Sequence, residues 1–241
     1  MLAALSRHER IALQVSGGRD SIACLFLLRE HLERVTVYWV NTGDAFPETL
    51  EVIRQVRELA PHFIEVQGRQ PEVIAQFGMP TDLLPQSCTP IGVAAGKSAV
   101  LMQDTMSCCA RVMMVPMQQQ MVADGITLII RGQKACDTNR APFSSGYVEN
   151  GIEYLFPIEG WSVAEVDAYL ADVGAPVSPV YEQLHSMPDC MTCSGWWSDK
   201  RAQYLAQHHP EKSAEYQRRL GVICTETAAH INQFNHEFFG E

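Results

Sequence analysis

Six residues, Ser16-Gly17-Gly18-Arg19-Asp20-Ser21, constrain this chain more than any other segment, because of what stands on either side of them. Before them, Arg10 to Val15 carries Ile11, Ala12, Leu13 and Val15 and reads as a short buried strand. After them, from about Asp20 to Leu32, Ile22, Leu25, Phe26 and Leu28 recur at helical spacing. A strand that turns through two glycines into a helix is the first half of a βαβ unit. The pattern then continues. Val35 to Val40 alternates as a second strand, and Pro47 opens a helix to about Leu59, proline being well tolerated in a first helical turn. Phe63 to Val66 is a third strand. Strand, helix, strand, helix, strand predicts an α/β fold with a parallel twisted sheet flanked by helices and right-handed crossovers.

The remainder is less regular at first. Residues 68 to 107 hold Pro71, Pro80, Pro85 and Pro90 and read as a loop-rich insertion with short helices. Val112 to Val122 reads as a helix, Thr127 to Arg131 as the next strand. Ser162 to Val173 carries a complete helix signature: Ser162 as N-cap, Glu165 three residues on, Gly174 as the stop. The tail from Asp199 onward reads as helical, with Gly221 as a break. The expected organisation is one α/β domain over residues 1–198 and a C-terminal helical segment over 199–241. Hydrophobic residues make up 46% of the 241 and charged residues 19%, enough to bury a large core. The net charge of −10 argues against a protein whose affinity comes mainly from nucleic-acid backbone, although a local basic groove stays compatible with it. Nothing is apolar over eighteen residues, so no membrane span is expected. The N-terminus is charged too soon for a signal peptide, which makes the cytoplasm the expected location. Eight cysteines there read as thiols or metal ligands rather than disulfides.

The chemistry of the six-residue loop follows from its place. Two glycines let backbone approach a polyphosphate with no Cβ in the way, and the next helix turns its N–H groups and positive dipole end toward the anion. Ser16 and Ser21 add hydroxyls and Arg19 a charge. Asp20 needs its own explanation: it holds the loop, caps the helix or reaches a Mg²⁺.

The string resembles the SGGxDS loop of the PP-loop ATP pyrophosphatases, the adenine nucleotide alpha hydrolase-like group that includes tRNA thiolation enzymes and the PAPS and APS reductases. Two further segments carry the resemblance. Asn41-Thr42-Gly43-Asp44-Ala45-Phe46-Pro47-Glu48-Thr49 is similar to that group's DTGxxFPET stretch, with Asn41 in place of Asp; it implies that Asn41 and Gly43 edge the nucleotide site. Arg131-Gly132-Gln133-Lys134 through Arg140 is similar to TGxRxxxSxxR, and implies Gly132 and Arg140 as nucleotide contacts, with Lys134 supplying the charge that the departed arginine would. Gly92 to Ser98 imitates a Walker A loop but is one residue short between its glycines and lacks a preceding strand, so it reads as a loop feeding a helix.

Cys108-Cys109 and Cys190-Met191-Thr192-Cys193 are the informative cysteines, with residues 110 to 189 between the pair and the CxxC. Four thiolates suit Zn²⁺ or an iron–sulfur cluster, and spacing alone does not choose. The flanks resemble those of APS reductases and DNA-phosphorothioation enzymes: Cys108 to Met117 looks like CCxxRKxxPL, Phe156 to Val166 like xPLxxWsxxDV, Ala175 to Tyr181 like lPxxpLY. That resemblance implies a 4Fe–4S cluster on Cys108, Cys109, Cys190 and Cys193, close to the nucleotide. Cys224 occupies the region where the reductases carry a nucleophile in ECGxH, but its Glu, Gly and His neighbours are absent here.

Asp20, Arg140 and Cys224 are therefore the catalytic candidates. The complete SGGxDS string favours ATP-dependent adenylation with pyrophosphate release, coupled to sulfur transfer; APS or PAPS reduction through Cys224 is the alternative, and a non-catalytic nucleotide- or cluster-binding subunit the third. ATP or an adenylyl-sulfate nucleotide is the expected substrate. A sulfur donor or reductant protein, a nucleic-acid acceptor and an oligomer all stay open.

Overall fold

A computed structural model describes residues 1–138, 140–197 and 200–240. Along the chain run α1 (Leu2–Arg7), β1 (Ile11–Gln14), α2 (Arg19–Leu27), β2 (Val35–Asn41), α3 (Pro47–Leu59), β3 (Phe63–Gln67), α4 (Gln70–Phe77), β4 (Met79–Thr81), α5 (Pro90–Ala94), β5 (Met102–Asp104), α6 (Thr105–Cys109), α7 (Val115–Ala123), β6 (Leu128–Ile130), β7 (Val148–Glu149), β8 (Ile152–Leu155), α8 (Val163–Asp172), α9 (Arg201–His208) and α10 (Pro210–Phe239). They group into two compact units. The first takes residues 1–41, 45–67 and 116–182, the second 42–44, 68–115 and 183–241. The expected boundary at 198/199 falls on Ser198 and Asp199, which lie outside the described residues. No helix is long and apolar enough to cross a membrane among the described residues.

The first unit is a six-stranded sheet in the order β3-β2-β1-β6-β8-β7, parallel throughout except for β7, which runs antiparallel to β8. Alternation along the strands makes two cores. Ile11 and Leu13 of β1, Val35 and Val37 of β2 and Leu128 and Ile130 of β6 face Ile22 and Leu25 of α2 and its C-cap Leu28, Val52, Ile53 and Val56 of α3, and Val166 and Leu170 of α8. Their neighbours Ala12, Tyr38 and Ile129 face Met117 and Met121 of α7. The strand order reverses between β1 and β6. At that switch point the carboxyl ends of two adjacent strands open a crevice for ligands.

The elements read from sequence are present, with shifted limits. The capping box at Ser162 forms in both directions, its side chain accepting from the Glu165 amide and Glu165 returning to the Ser162 amide. The helix expected to Leu32 gives way after Leu27 to a 3₁₀ turn, Arg29–Arg34. The helix expected from Val112 starts as a π-helical segment, Ala110–Met114, following α6. β7 and β8 are absent from the sequence reading. β8 is four residues long and carries Glu153 in its middle, whose carboxylate takes Arg7 at 2.7 Å and His8 at 2.8 Å.

The second unit pairs β4 with β5 in parallel and packs α9 along α10. Gly221 does not break α10, which runs unbroken from Pro210 to Phe239. A helical glycine costs about 1 kcal/mol, and the burial of Tyr216, Ile223 and Thr227 on the same helix outweighs it.

Candidate nucleotide and thiol sites

The Ser16–Ser21 loop leaves β1 at the switch point. Gly17 sits at φ +85°, a left-handed conformation that glycine adopts without strain; a Cβ there would also stand 2.9 Å from Thr49 Cγ2. Gly18 is the N-cap of α2, and it has no side chain of its own to cap that helix. The two serines organise the turn from within: Ser21 Oγ donates to the Gly18 carbonyl at 2.8 Å and accepts from the Ser16 amide at 3.2 Å, and the Gly18 amide donates to Ser16 Oγ at 3.3 Å. What remains is a rigid, uncapped helix start whose dipole favours an anion.

Arg19 turns to other work. Its guanidinium donates to the Asp167 carboxylate at 3.0 and 3.1 Å and lies over the Tyr181 ring, 4.5 Å from the centroid. The cation beside the loop is Lys134 instead. It follows β6, its side chain is 4% exposed, and it forms ion pairs with Asp20 and, at 3.1 Å, with Asp137. Burial pulls the ammonium's pKa down, but hydrogen bonds to Asp20 and Asp137 outweigh it and the net shift is upward. Asp20 thereby acquires its reason: it holds a buried cation against the loop. Gly132 has a reason other than approach to a ligand, since a Cβ on it would lie 2.5 Å from the Asp20 carbonyl carbon and oxygen. The exits of β1 and β6 are packed backbone to backbone there. Asn41, at the end of β2, donates to Glu65 at 2.8 Å, and Arg140 lies exposed.

Replacing Lys134 with methionine should lower stability by about 1–3 kcal/mol, at the lower end of buried-pair losses because Asp20 and Asp137 are each about one-third exposed. Lys134 stabilises the fold below its ordinary pKa and the contribution fades only as pH climbs through the raised one. Wild type should therefore keep a constant advantage in urea melts from about pH 6 to 9 and lose it in stronger alkali. An advantage that changes near neutrality would contradict this.

In the second unit, Gly43 turns at φ +79° against Pro71. Phe46 is the N-cap of α3, and Asp44, two residues before it, is directed to the Cys190–Cys193 loop. The Asp44 carboxylate accepts from the Thr192 amide at 2.8 Å, from Thr192 Oγ1 at 2.5 Å, and from Lys212 Nζ at 2.7 Å, while its carbonyl accepts from the Met191 amide at 2.6 Å. Arg219 donates to the Thr192 carbonyl at 3.1 Å and Arg201 to the Cys193 carbonyl at 2.7 Å. Sequence reasoning missed Asp44, Lys212, Arg201 and Arg219, because nothing local distinguishes them from surface charges.

The Cys-Cys pair ends α6, and the segment after the CxxC presses on the start of that helix: a Cβ on Gly195 would lie 2.1 Å from Thr105 Oγ1. Burial pushes the Cys108 thiol up to about 12, with Cys109 and Cys193 close enough to push it further and Arg111 and Arg219 opposing. Burial likewise raises Cys109 and carries Cys190 well above the thiol range, against a Thr42 hydrogen bond. All four are free thiols. The donor chemistry fits a soft, thiolate-bound centre, with two arginines near it to offset charge. The described side chains do not themselves form a closed ligand shell, since no group of three or more His, Cys, Asp or Glu is gathered for a metal among the described residues. Cys224 is exposed midway along α10 and Cys136 is exposed; Cys88 is buried, 3.4 Å from Glu226, and Cys24 is a core residue whose thiol burial holds at about 12. The Gly92 imitation is a packing glycine, its Cβ position 2.4 Å from the Gln86 and Ser87 carbonyls.

Residues 10–196 match the phosphoadenosine phosphosulfate reductase domain family. The chain belongs to that family. Adenosine 5′-phosphosulfate reductase of Rhizobium meliloti (strain 1021) is 25% identical over 205 residues, spanning 75% of this chain and 69% of that one. The enzyme of the same name from Allochromatium vinosum is 21% identical over 209 residues, 81% and 77% of the two chains. The crystal structure of phosphoadenylyl-sulfate reductase from Candida auris in a phosphate complex superposes with a TM-score of 0.57 at 17% identity, over 78% of this chain and 85% of that one, which establishes the shared fold. The relationship to the sulfonucleotide reductases is distant.

Proposed function

We propose that this chain is an adenylating enzyme that opens ATP between its α- and β-phosphates, passes the adenylyl group to an acceptor and releases pyrophosphate, in sulfur metabolism or sulfur transfer. The observation that supports it is the Ser16–Ser21 loop at the sheet's switch point, with its left-handed Gly17, its uncapped helix start and the buried Lys134 beside it. In this reading the acceptor's nucleophile attacks the α-phosphorus, the bond to the bridging oxygen breaks, and pyrophosphate leaves with the electron pair. The loop and Lys134 neutralise charge and hold the phosphates in line, which is most of what such a reaction asks of a protein. Asp20 is engaged by Lys134, so Mg²⁺ would enter with the nucleotide, supplying further charge neutralisation. Cys108, Cys109, Cys190 and Cys193 would hold a 4Fe–4S cluster, with zinc as the other fit; a bound cluster supplies one-electron chemistry.

The names of the relatives favour a second reading, sulfonucleotide reduction, in which the Cys224 thiolate attacks the sulfate sulfur of APS or PAPS, the nucleotide leaves, and a reductant thiol frees sulfite. A subunit that binds nucleotide or cluster without catalysis is the third. Offering ATP, APS and PAPS separately to anaerobically purified protein, with candidate acceptors, separates them. Pyrophosphate from ATP is the expected product. Orthophosphate from the γ-position would contradict the proposal, and sulfite from APS or PAPS that disappears in Cys224→Ser would replace it with the reductase reading.

A further inference from the structure

We infer that Asp44 is the positioning residue of the Cys190–Cys193 loop, and that through it the loop is set for metal ligation. This rests on the reading that those cysteines bind a metal. The argument starts from what a CxxC turn needs. Two thiols three residues apart reach one centre only if the backbone between them is held, and this turn has one weak internal bond of its own, Cys193 N–H to the Cys190 carbonyl at 3.3 Å. The restraint comes from outside the turn. Asp44 engages both intervening residues: Met191 through its main-chain carbonyl, Thr192 through its carboxylate, which takes the amide and the hydroxyl together. The other carboxylate oxygen takes Lys212 of α10, and Gln70 Nε2 donates at 3.4 Å to the oxygen that takes Thr192. Arg201 and Arg219 hold the next two carbonyls.

Both carboxylate oxygens are used as acceptors, one by the Thr192 amide and hydroxyl and the other by the Lys212 ammonium. The Asp44 side chain is 3% exposed, and Lys212, 47% exposed, balances its charge. An ion pair whose lysine is nearly half exposed contributes little net stability, so its use at this position is explained better by the geometry it fixes than by the energy it adds. Asparagine has the same shape but one acceptor oxygen instead of two; whichever way it turns, an amide N–H₂ faces either the Thr192 donors or the Lys212 ammonium. Groups that orient metal ligands without touching the metal typically cost about 10- to 100-fold in affinity when removed.

The experiment uses full-length Asp44→Asn and, should that fail to fold, Lys212→Met, each verified by circular dichroism. Metal-free protein is titrated with Co²⁺, whose thiolate bands report ligation, and its cysteines are alkylated under native conditions with each site followed by mass spectrometry. Co²⁺ affinity is expected to fall about 10- to 100-fold. Alkylation of Cys193 is expected to speed up while Cys88, buried elsewhere in the same unit, and Cys24 keep their wild-type rates. Unchanged Cys193 reactivity would overturn the inference, as would equal acceleration at Cys88, which marks general loosening. Faster Cys193 alkylation with wild-type Co²⁺ affinity would overturn the link to ligation. If the wild type itself takes neither Co²⁺ nor iron, the metal reading falls by itself, and the link from Asp44 to ligation falls with it; the alkylation rates then decide only whether Asp44 holds the loop.

Discussion

Gly17→Val should remove ATP binding while leaving the rest of the first unit folded. The residue sits at φ +85°, where a β-branched side chain is an outlier, and its Cβ would start 2.9 Å from Thr49 Cγ2 on α3. Backbone in such a conformation costs on the order of 1–3 kcal/mol for a non-glycine residue. The loop can relieve that only by leaving its present path, and the path is what aligns the Gly18 amide, the start of α2 and the serine hydroxyls. A loss of about 3 kcal/mol in binding is more than 100-fold in affinity. Isothermal titration with ATP measures it directly, with far-ultraviolet circular dichroism as the control for folding. Gly132→Ala makes the companion test, because its Cβ meets backbone of the same loop from the β6 side at 2.5 Å. Both variants binding ATP like wild type would put the nucleotide elsewhere.

The first unit is largely legible in the sequence because its signals are local. Strand alternation, the Ser-Gly-Gly turn and the Ser162–Glu165 capping box each operate within a few residues, and each is found where it is read. β8 escapes because Glu153 interrupts its apolar run for the sake of Arg7 and His8, more than 140 residues away in sequence. Gly221 misleads for the opposite reason: helix-breaking propensity is a weak local cost, and tertiary packing on both sides of it decides.

The candidate sites divide in the same way. The residue types that a polyphosphate or a soft metal needs can be picked out by eye, and so can Lys134 as a substitute charge. What cannot be picked out is how those charges are spent. Arg19 stands in the loop and pairs with Asp167, 148 residues away, whereas Lys134 reaches Asp20 from 114 residues on. Asp44 stands two residues before the N-cap of the next helix and holds a loop 148 residues later. Partner choice at that separation follows from sheet order and helix packing, which no window of sequence contains.

Cys190→Ser should lose the metal and, with it, the stability the metal confers, yet leave the metal-free protein nearly unchanged. The substitution keeps size and keeps a hydroxyl for Thr42, whose hydrogen bond the thiol now uses. It removes a soft ligand that a hard oxygen does not replace. The four cysteines stand at 108, 109, 190 and 193, so a metal that joined all four would do so only in the folded chain, and its binding free energy would become folding free energy. For a metal present at a thousand times its dissociation constant that is about 4 kcal/mol. In a chain of this length each kcal/mol is worth about 2–4 °C, so metal-loaded wild type should melt about 8–16 °C above the variant. After chelation the two should melt within a few degrees of one another. Iron and sulfide analysis of anaerobic protein, together with calorimetry before and after chelation, reads every part of this. Brown wild type and colourless Cys190→Ser is the expected pair. Colourless wild type carrying zinc would keep the four ligands and replace the cluster. A gap in melting temperature that persists in metal-free protein would mean that Cys190 stabilises the fold by packing, and the ligand assignment would fail.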